Sequence, residues 1–306
     1  MEVADRVAVL RKGQFIGDML IKDTNPQEMT NMMVGHQVTL NINRPDPVNI
    51  KPRLEVSNLT VIDADGVKRL DDVSFVANAG EILGIAGVSG SGQKELLEAI
   101  AGLQKTDSGK IDYIEDDGTV DPIIGKSPME ITDMGVTLSF VPEDRLGMGL
   151  VGSMDITDNM LLRSFRRGKG FFADRKTPKK LAERIVRELE VNTPGVSTPV
   201  RRLSGGNVQK VLVGREIADE PTVLMTAYAV RGLDINSSYT IYDLINQQKQ
   251  KGVAVIFVSE DLDVILELCD RILVMCAGKV SGIVDGRTAA KDKVGLMMTS
   301  LGGEKQ

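Results

Sequence analysis

The residues Gly87-Val-Ser-Gly90-Ser91-Gly92-Gln93-Lys94 follow a short apolar run, Glu81 to Ala86, and precede a helical pattern over Gly92 to Ala101. Glycines at this spacing let a backbone turn tightly and aim successive N–H groups at phosphate oxygens. The helix behind them adds the positive end of its dipole. A hydrolytic phosphate loop ends in Lys and then Ser or Thr, which serve the β- and γ-phosphates and Mg²⁺. Gln93 and Lys94 stand at those positions. Gln donates a hydrogen bond but brings no charge. An ammonium cannot ligate Mg²⁺, and Lys94 lies ~100° round the helix from the position where a loop lysine belongs. Taken alone, the string also suits a plain tight turn.

A second string is intact: Leu203-Ser204-Gly205-Gly206-Asn207-Val208-Gln209-Lys210. Ser204 is a good helix N-cap, and the two glycines leave the first-turn amides open to an anion. Val208, Val211, Leu212 and Arg215 follow at helical spacing and hold this end on a packed helix. The plainer reading is a well-capped helix.

Positioning these strings requires alternating strands and helices. Leu54–Val61 and Arg69–Val76 read as a β pair around an Asp65-Gly66 turn. Strands are predicted at 136–141, 223–226 and 253–258, and helices near 157–165, 177–190, from 205, and over 235–248, before a closing hairpin and helix. Short apolar strands alternating with amphipathic helices indicate an α/β fold with a parallel sheet.

The chain also repeats itself. ADRVAVLRKGQFIG at 4–17 matches CDRILVMCAGKVSG at 269–282. Asp5 falls on Asp270, Arg6 on Arg271, Val9 on Val274, Gly13 on Gly278 and Gly17 on Gly282; the same offset carries Met32-Met33 onto Met297-Met298. A period of this length is that of a whole domain. Residues 1–35 are therefore expected to be the tail of a preceding domain. His36 to Arg53, polar and carrying Pro45, Pro47 and Pro52, reads as a linker.

Composition excludes several classes. The 306 residues are 42% hydrophobic and 26% charged, with a net charge of −6, which argues against a nucleic-acid coat. A single His rules out His-rich metal sites, and His36, in the polar stretch, reads as a solvated bystander rather than a catalytic group. Cys269 and Cys276 form neither a metal spacing nor a disulfide framework and read as small buried hydrophobes. No metal site is expected. No apolar run reaches the ~20 residues of a membrane span, and the start lacks a signal-peptide layout, so a cytoplasmic protein is expected.

LSGGN followed by VQK resembles the signature motif of ATP-binding cassette (ABC) ATPases. EILGIAGVSGSGQKEL, SFVPEDR and RGLD accompany it in that family's order. From Leu54 to Gly303 the chain is similar to the C-terminal cassette of two-cassette ATP-binding proteins from bacterial sugar and nucleoside importers. The resemblance implies a P-loop NTPase (RecA-like) core at 54–303, with an antiparallel β subdomain and a helical subdomain inserted at about 146–205. Residues 1–35 would then end a first cassette, with 36–53 as linker. The resemblance makes Gly87, Gly90, Ser91, Gly92, Gln93 and Lys94 a degenerate Walker A loop, Glu143 the Q-loop position, and Asp234 the D-loop residue. Ser204, Gly205, Gly206 and Asn207 become the signature facing a partner's ATP. Where Walker B should end in Asp-Glu-Pro the chain has Ala227-Tyr228-Ala229, and the switch-His position is Glu260. No aromatic residue occupies 61–63 to stack an adenine.

These departures share a chemical direction. Ala227 removes a carboxylate behind Mg²⁺, Tyr228 with an ordinary pKa of ~10 is no base at pH 7, and Glu260 places negative charge near a γ-phosphate. The chain's own site is expected to hydrolyse nothing and to hold nucleotide weakly or without Mg²⁺, while Mg-ATP lies at the partner cassette's site. The implied partners are the N-terminal cassette of the same polypeptide, membrane permease subunits and, indirectly, a solute-binding protein, on the inner face of the membrane. A basic stretch (Arg163, Arg166, Arg167, Lys169, Arg175, Lys176, Lys179, Lys180) reads as a solvated surface, with permease or anionic lipid as the alternative. Two other readings are a soluble tandem-cassette regulatory or ribosome-associated protein, and a structural pseudo-cassette without energy coupling.

Overall fold

A computed structural model describes residues 4–11, 13–34, 42–165 and 174–300. His36, Arg166, Arg167, Lys169 and Gly303 lie outside the described residues. The chain runs β1 (Arg6–Arg11), β2 (Gln14–Leu20), α1 (Pro26–Val34), β3 (Lys51–Ile62), β4 (Lys68–Ala79), β5 (Ile82–Ala86) and α2 (Gln93–Ile100). It continues through β6 (Ser108–Ile114), β7 (Val120–Pro122), α3 (Pro128–Asp133), β8 (Leu138–Val141), α4 (Ile156–Ser164), α5 (Lys176–Glu188) and α6 (Gly205–Ile217). It closes with β9 (Val223–Ala227), α7 (Ile235–Gln250), β10 (Ala254–Val258), α8 (Leu262–Leu268), β11 (Arg271–Cys276), β12 (Lys279–Asp285) and α9 (Lys291–Thr299).

The central sheet has the order β12-β11-β5-β10-β9-β8, parallel except for β12 at its edge. Strands β5, β9 and β10 are buried throughout, which is why they read as unbroken apolar runs rather than alternating ones. The antiparallel sheet β4-β3-β6-β7 forms the second layer. Between the sheets lies α2, whose Leu96, Leu97 and Ile100 share one core with Leu54 and Leu70 of the antiparallel sheet and Met225 and Ile256 of the central one. The opposite face packs Val211 and Leu212 of α6 and Ile241 and Ile245 of α7 against Phe257. Strands β6 and β7 and the short α3 fall in a stretch without a sequence assignment. The α3 turn is nevertheless well marked, since Ser127 and Glu130 form a reciprocal capping box.

The internal repeat extends to detailed geometry. Arg6 pairs with Leu20 and Val9 with Gly17, with a register shift after Val9; Arg271 pairs with Asp285 and Val274 with Gly282, with the shift after Val274. The helices that follow, α1 and α9, begin and end at corresponding positions. A Cβ on Gly17 would meet Met32 Cε at 3.2 Å, and one on Gly282 would meet Met297 Cε at 2.7 Å. Each first methionine of the two pairs therefore packs on its hairpin. The units differ in their surroundings. β11 pairs with β5 along its other edge, whereas β1 pairs only with β2 among the described residues, and Leu10 and Phe15 are exposed.

The stretch 36–53 is not a free linker where it is described. Lys51, Pro52 and Arg53 already belong to β3, and residues 42–50 are strapped to the cassette. Asn246 Nδ2 donates to the Asn43 carbonyl at 2.9 Å, Arg44 Nη1 to the Leu266 carbonyl at 3.0 Å and Lys249 Nζ to the Pro45 carbonyl at 2.6 Å. Proline removes amide donors but leaves its carbonyl as an acceptor, and the buried Lys249 satisfies that of Pro45. The anchor is a buried ion pair, Lys249 Nζ to Asp270 Oδ2 at 3.1 Å. Asp270 Oδ2 also accepts from the Ile82 amide at 2.9 Å.

Both cysteines are buried and unpaired. Burial pushes the Cys269 thiol well above its ordinary value, and its Sγ would lie 2.7 Å from a Cβ on Gly84. Thiolate is the reactive form, so Cys269 is expected to resist iodoacetamide at pH 8 in the folded protein and to alkylate fully after denaturation. Peptide mass spectrometry reads the difference; ready labelling of the native thiol would refute this placement.

Candidate nucleotide-facing sites

The glycine loop joins β5 to α2 at the C-terminal end of a parallel strand, where such sheets present ligands. Gly92 caps α2 with φ at 98°, and a Cβ there would stand 2.5 Å from the Arg69 carbonyl oxygen, so only glycine fits. Gln93 is buried and folds back into the loop, its Nε2 donating to the Val88 carbonyl at 3.2 Å. The amide is thus engaged with the loop's own backbone. Lys94 Nζ stands 3.8 Å from Glu98 Oε1 and lines a cavity of about 320 Å³ with Glu98, Glu143, Asp144, Ala227 and Tyr228. Burial pushes the Glu98 carboxyl above its ordinary value, with Lys94 opposing it.

Mg²⁺ does not fit this site. A divalent cation needs hydroxyl and carboxylate oxygens. The positions that the resemblance assigns to the metal hold an ammonium at Lys94 and a methyl group at Ala227, at the buried end of β9. The cavity's carboxylates, Glu98, Glu143 and Asp144, have the Lys94 ammonium among them. Tyr228 follows with φ at 51°, its amide donating to the Val258 carbonyl at 2.9 Å. Burial raises its phenol above the ordinary value, and Glu143 and Glu260 add to the effect, so it stays protonated at neutral pH. Among the described residues no group of three or more His, Cys, Asp or Glu side chains is arranged to hold a metal.

Glu143, at the Q-loop position, and Glu260, at the switch position, share one cation. Arg231 Nη1 donates to Glu143 Oε1, and Arg231 Nε lies 3.5 Å from Glu260 Oε2. Residue type alone left Glu260 as added negative charge. Sequence reading missed Arg231 because its partner Glu143 lies 88 residues away, and no local pattern joins them.

The signature end is built differently. Ser204 caps α6, and its Oγ accepts from Asn207 Nδ2 at 2.8 Å. Asn207 Oδ1 in turn accepts from the Asn192 amide at 2.9 Å, which fixes the first turn against the loop after α5. Ser204 and Gly205 are exposed. A Cβ on Gly206 would fall 2.6 Å from Ser237 Oγ and 3.2 Å from Asp234 Oδ2. Asp234 caps α7 and accepts from the Ser237 amide at 3.0 Å. Burial pushes its carboxyl up, but the Ser237 amide and hydroxyl hold it below its ordinary value. The structure thus brings Gly206 of the signature end and Asp234 together. Part of the basic stretch is internally paired: Arg163 with the buried Glu216, and Arg175 with Asp158.

The family profile described as ABC transporter matches residues 70–226, which run from β4 through β9 and include both glycine strings. The chain belongs to the ABC transporter family. Two curated relatives of this ABC transporter chain are the guanosine import ATP-binding protein NupO of Bacillus subtilis (36% identical over 300 residues, 97% of this chain and 57% of that protein) and the xylose import ATP-binding protein XylG of Moorella thermoacetica (37% over 309 residues, 99% and 59%). The chain therefore spans little more than half the length of the relatives it matches. Among solved structures, the ADP conformation of an ATP-binding cassette aligns with a TM-score of 0.61 at 21% identity, over 81% of this chain and 95% of that one. A dimeric cassette in a post-hydrolysis state with ADP and Pi aligns at 0.65 and 21%, over 77% and 100%. These neighbours show the P-loop NTPase cassette fold expected from the sequence.

Proposed function

We propose that this chain is the C-terminal ATP-binding cassette of an importer for simple sugars or nucleosides. In this reading it completes the nucleotide site of a first cassette while its own site does no hydrolysis. The observation that carries it is the contrast within one chain: a hydrogen-bonded Ser204–Asn207 end with Ser204 and Gly205 exposed, and a glycine loop whose Gln93 is bonded to its own backbone. The relatives named for guanosine and xylose import support the cargo class. Residues 4–34 end the first cassette: they repeat the hairpin, the register shift and the helix of 269–299. The exposed Leu10 and Phe15 are then the face that the first cassette's own core would cover.

Cassettes of this family pair head to tail, so the Ser204 hydroxyl and the Gly205 and Gly206 amides would hold the terminal phosphate of ATP bound to the first cassette. Bound Mg-ATP supplies the bond to be hydrolysed; this chain's part is to orient the phosphate and exclude bulk solvent, apart from the attacking water, through closure. Membrane permease subunits dock on the cassette at the inner face of the membrane and receive cargo from a solute-binding protein outside.

The chain's own loop is tested by calorimetric titration of ATP with Mg²⁺ and with EDTA. Weak binding that changes less than about twofold between the two is expected, because the loop and strand positions that would ligate the metal hold Lys94 and Ala227. The triple variant Gln93→Lys, Lys94→Ser, Ala227→Asp is expected to acquire Mg²⁺ dependence. Tight, Mg²⁺-dependent binding by the natural sequence would contradict the reading.

A further inference from the structure

We propose that Arg145 acts together with the signature end, placing a guanidinium on the terminal phosphate of ATP held by the partner cassette. The proposal rests on the reading of Ser204–Asn207 given above and adds a residue to it. Arg145 opens a wide turn, Arg145–Gly149, that is fastened to α6. Arg215 Nη2 donates to the Gly149 carbonyl at 2.6 Å, and a Cβ on Gly149 would lie 2.8 Å from Leu212 Cδ2. This fixes the guanidinium beside the first turn of the helix, with Nη1 3.2 Å from where a Cβ on Gly205 would be. Its other arm, Nη2, donates to the Arg231 carbonyl, so the side chain spans the signature end and the loop leading to Asp234.

Arg163, Arg175, Arg215, Arg231 and Arg271 each face a carboxylate. Arg145 has no carboxylate partner among the described residues, and burial is the sole influence on its ionisation, lowering it from the ordinary value. A cation at a helix N-terminus opposes the helix dipole, and the arrangement becomes favourable when an anion lies between them. The Gly205 and Gly206 amides, which have no acceptor among the described residues, border the same space. A planar guanidinium with an unengaged arm suits a phosphate better than any other anion on offer at a cassette interface.

The test uses the assembled importer. Arg145→Gln keeps an N–H donor for the Arg231 carbonyl and removes the charge. It is expected to lower kcat for ATP about 10²-fold with little change in KM and no change in thermal unfolding. Arg145→Lys is expected to recover about tenfold of that loss, since it restores charge without the fork. A glutamine variant within twofold of the natural kcat overturns the proposal, and so does an equal loss in both variants accompanied by lowered unfolding temperature. Ser204→Ala in the same preparation separates the two levels. If it abolishes turnover while Arg145→Gln does not, Arg145 alone is misassigned. Undiminished turnover in Ser204→Ala removes the signature reading and the proposal with it.

Discussion

In the assembled importer, Ser204→Ala combined with Gly206→Leu is expected to bring ATP hydrolysis to background. One lost contact to a transferring phosphate costs about 10²–10³ in rate, and this pair removes two. Ser204 contributes the hydroxyl and the cap of α6. A leucine at 206 would drive its Cβ to 2.6 Å from Ser237 Oγ, which displaces the Asp234 cap of α7 and opens the face that the two share. The loss should appear in kcat, read from phosphate release at saturating ATP, while nucleotide affinity at the first cassette's own loop changes little. Undiminished turnover would sink the assignment.

The second large effect is on stability. Asp270→Ala strands the fully buried Lys249 ammonium and leaves the Ile82 amide without its acceptor. Removing one partner of a buried pair costs about 3–5 kcal/mol, and urea unfolding of the whole chain should register it. Lys249 also holds Pro45, so the strap over residues 42–50 should become susceptible to proteolysis at the same time. The double variant Lys249→Met, Asp270→Leu is expected to restore most of the stability, because the desolvated charge is gone. It should leave the strap loose. A loss below about 1 kcal/mol in Asp270→Ala would mean that water reaches the pair.

Much of the fold was legible because its signals are local. Buried strands such as the one read at 223–226 are nearly continuous apolar runs, the cap at Ser204 is a short-range hydrogen bond, and the repeat is visible as identities at a constant offset. What escaped depends on residues distant in the chain. The proline-bearing stretch looked like a linker because prolines signal extended backbone, while its anchors Asn246, Lys249 and Leu266 lie some two hundred positions away. Glu143 and Glu260 were legible as departures from a nucleotide site, but their pairing with Arg231 was not. The position of Arg145 against Gly205 likewise arises from a wide turn that no periodicity announces.

In the proposed function this cassette serves a partner's nucleotide and not its own. Vanadate bound in place of a γ-phosphate cleaves the adjacent backbone under ultraviolet light, so the cut sites report which residues face that phosphate. In the assembled importer trapped with Mg-ATP and vanadate, this chain should be cut at Ser204 and stay intact through Gly87–Lys94. Cleavage within Gly87–Lys94, with Ser204 untouched, would contradict the account.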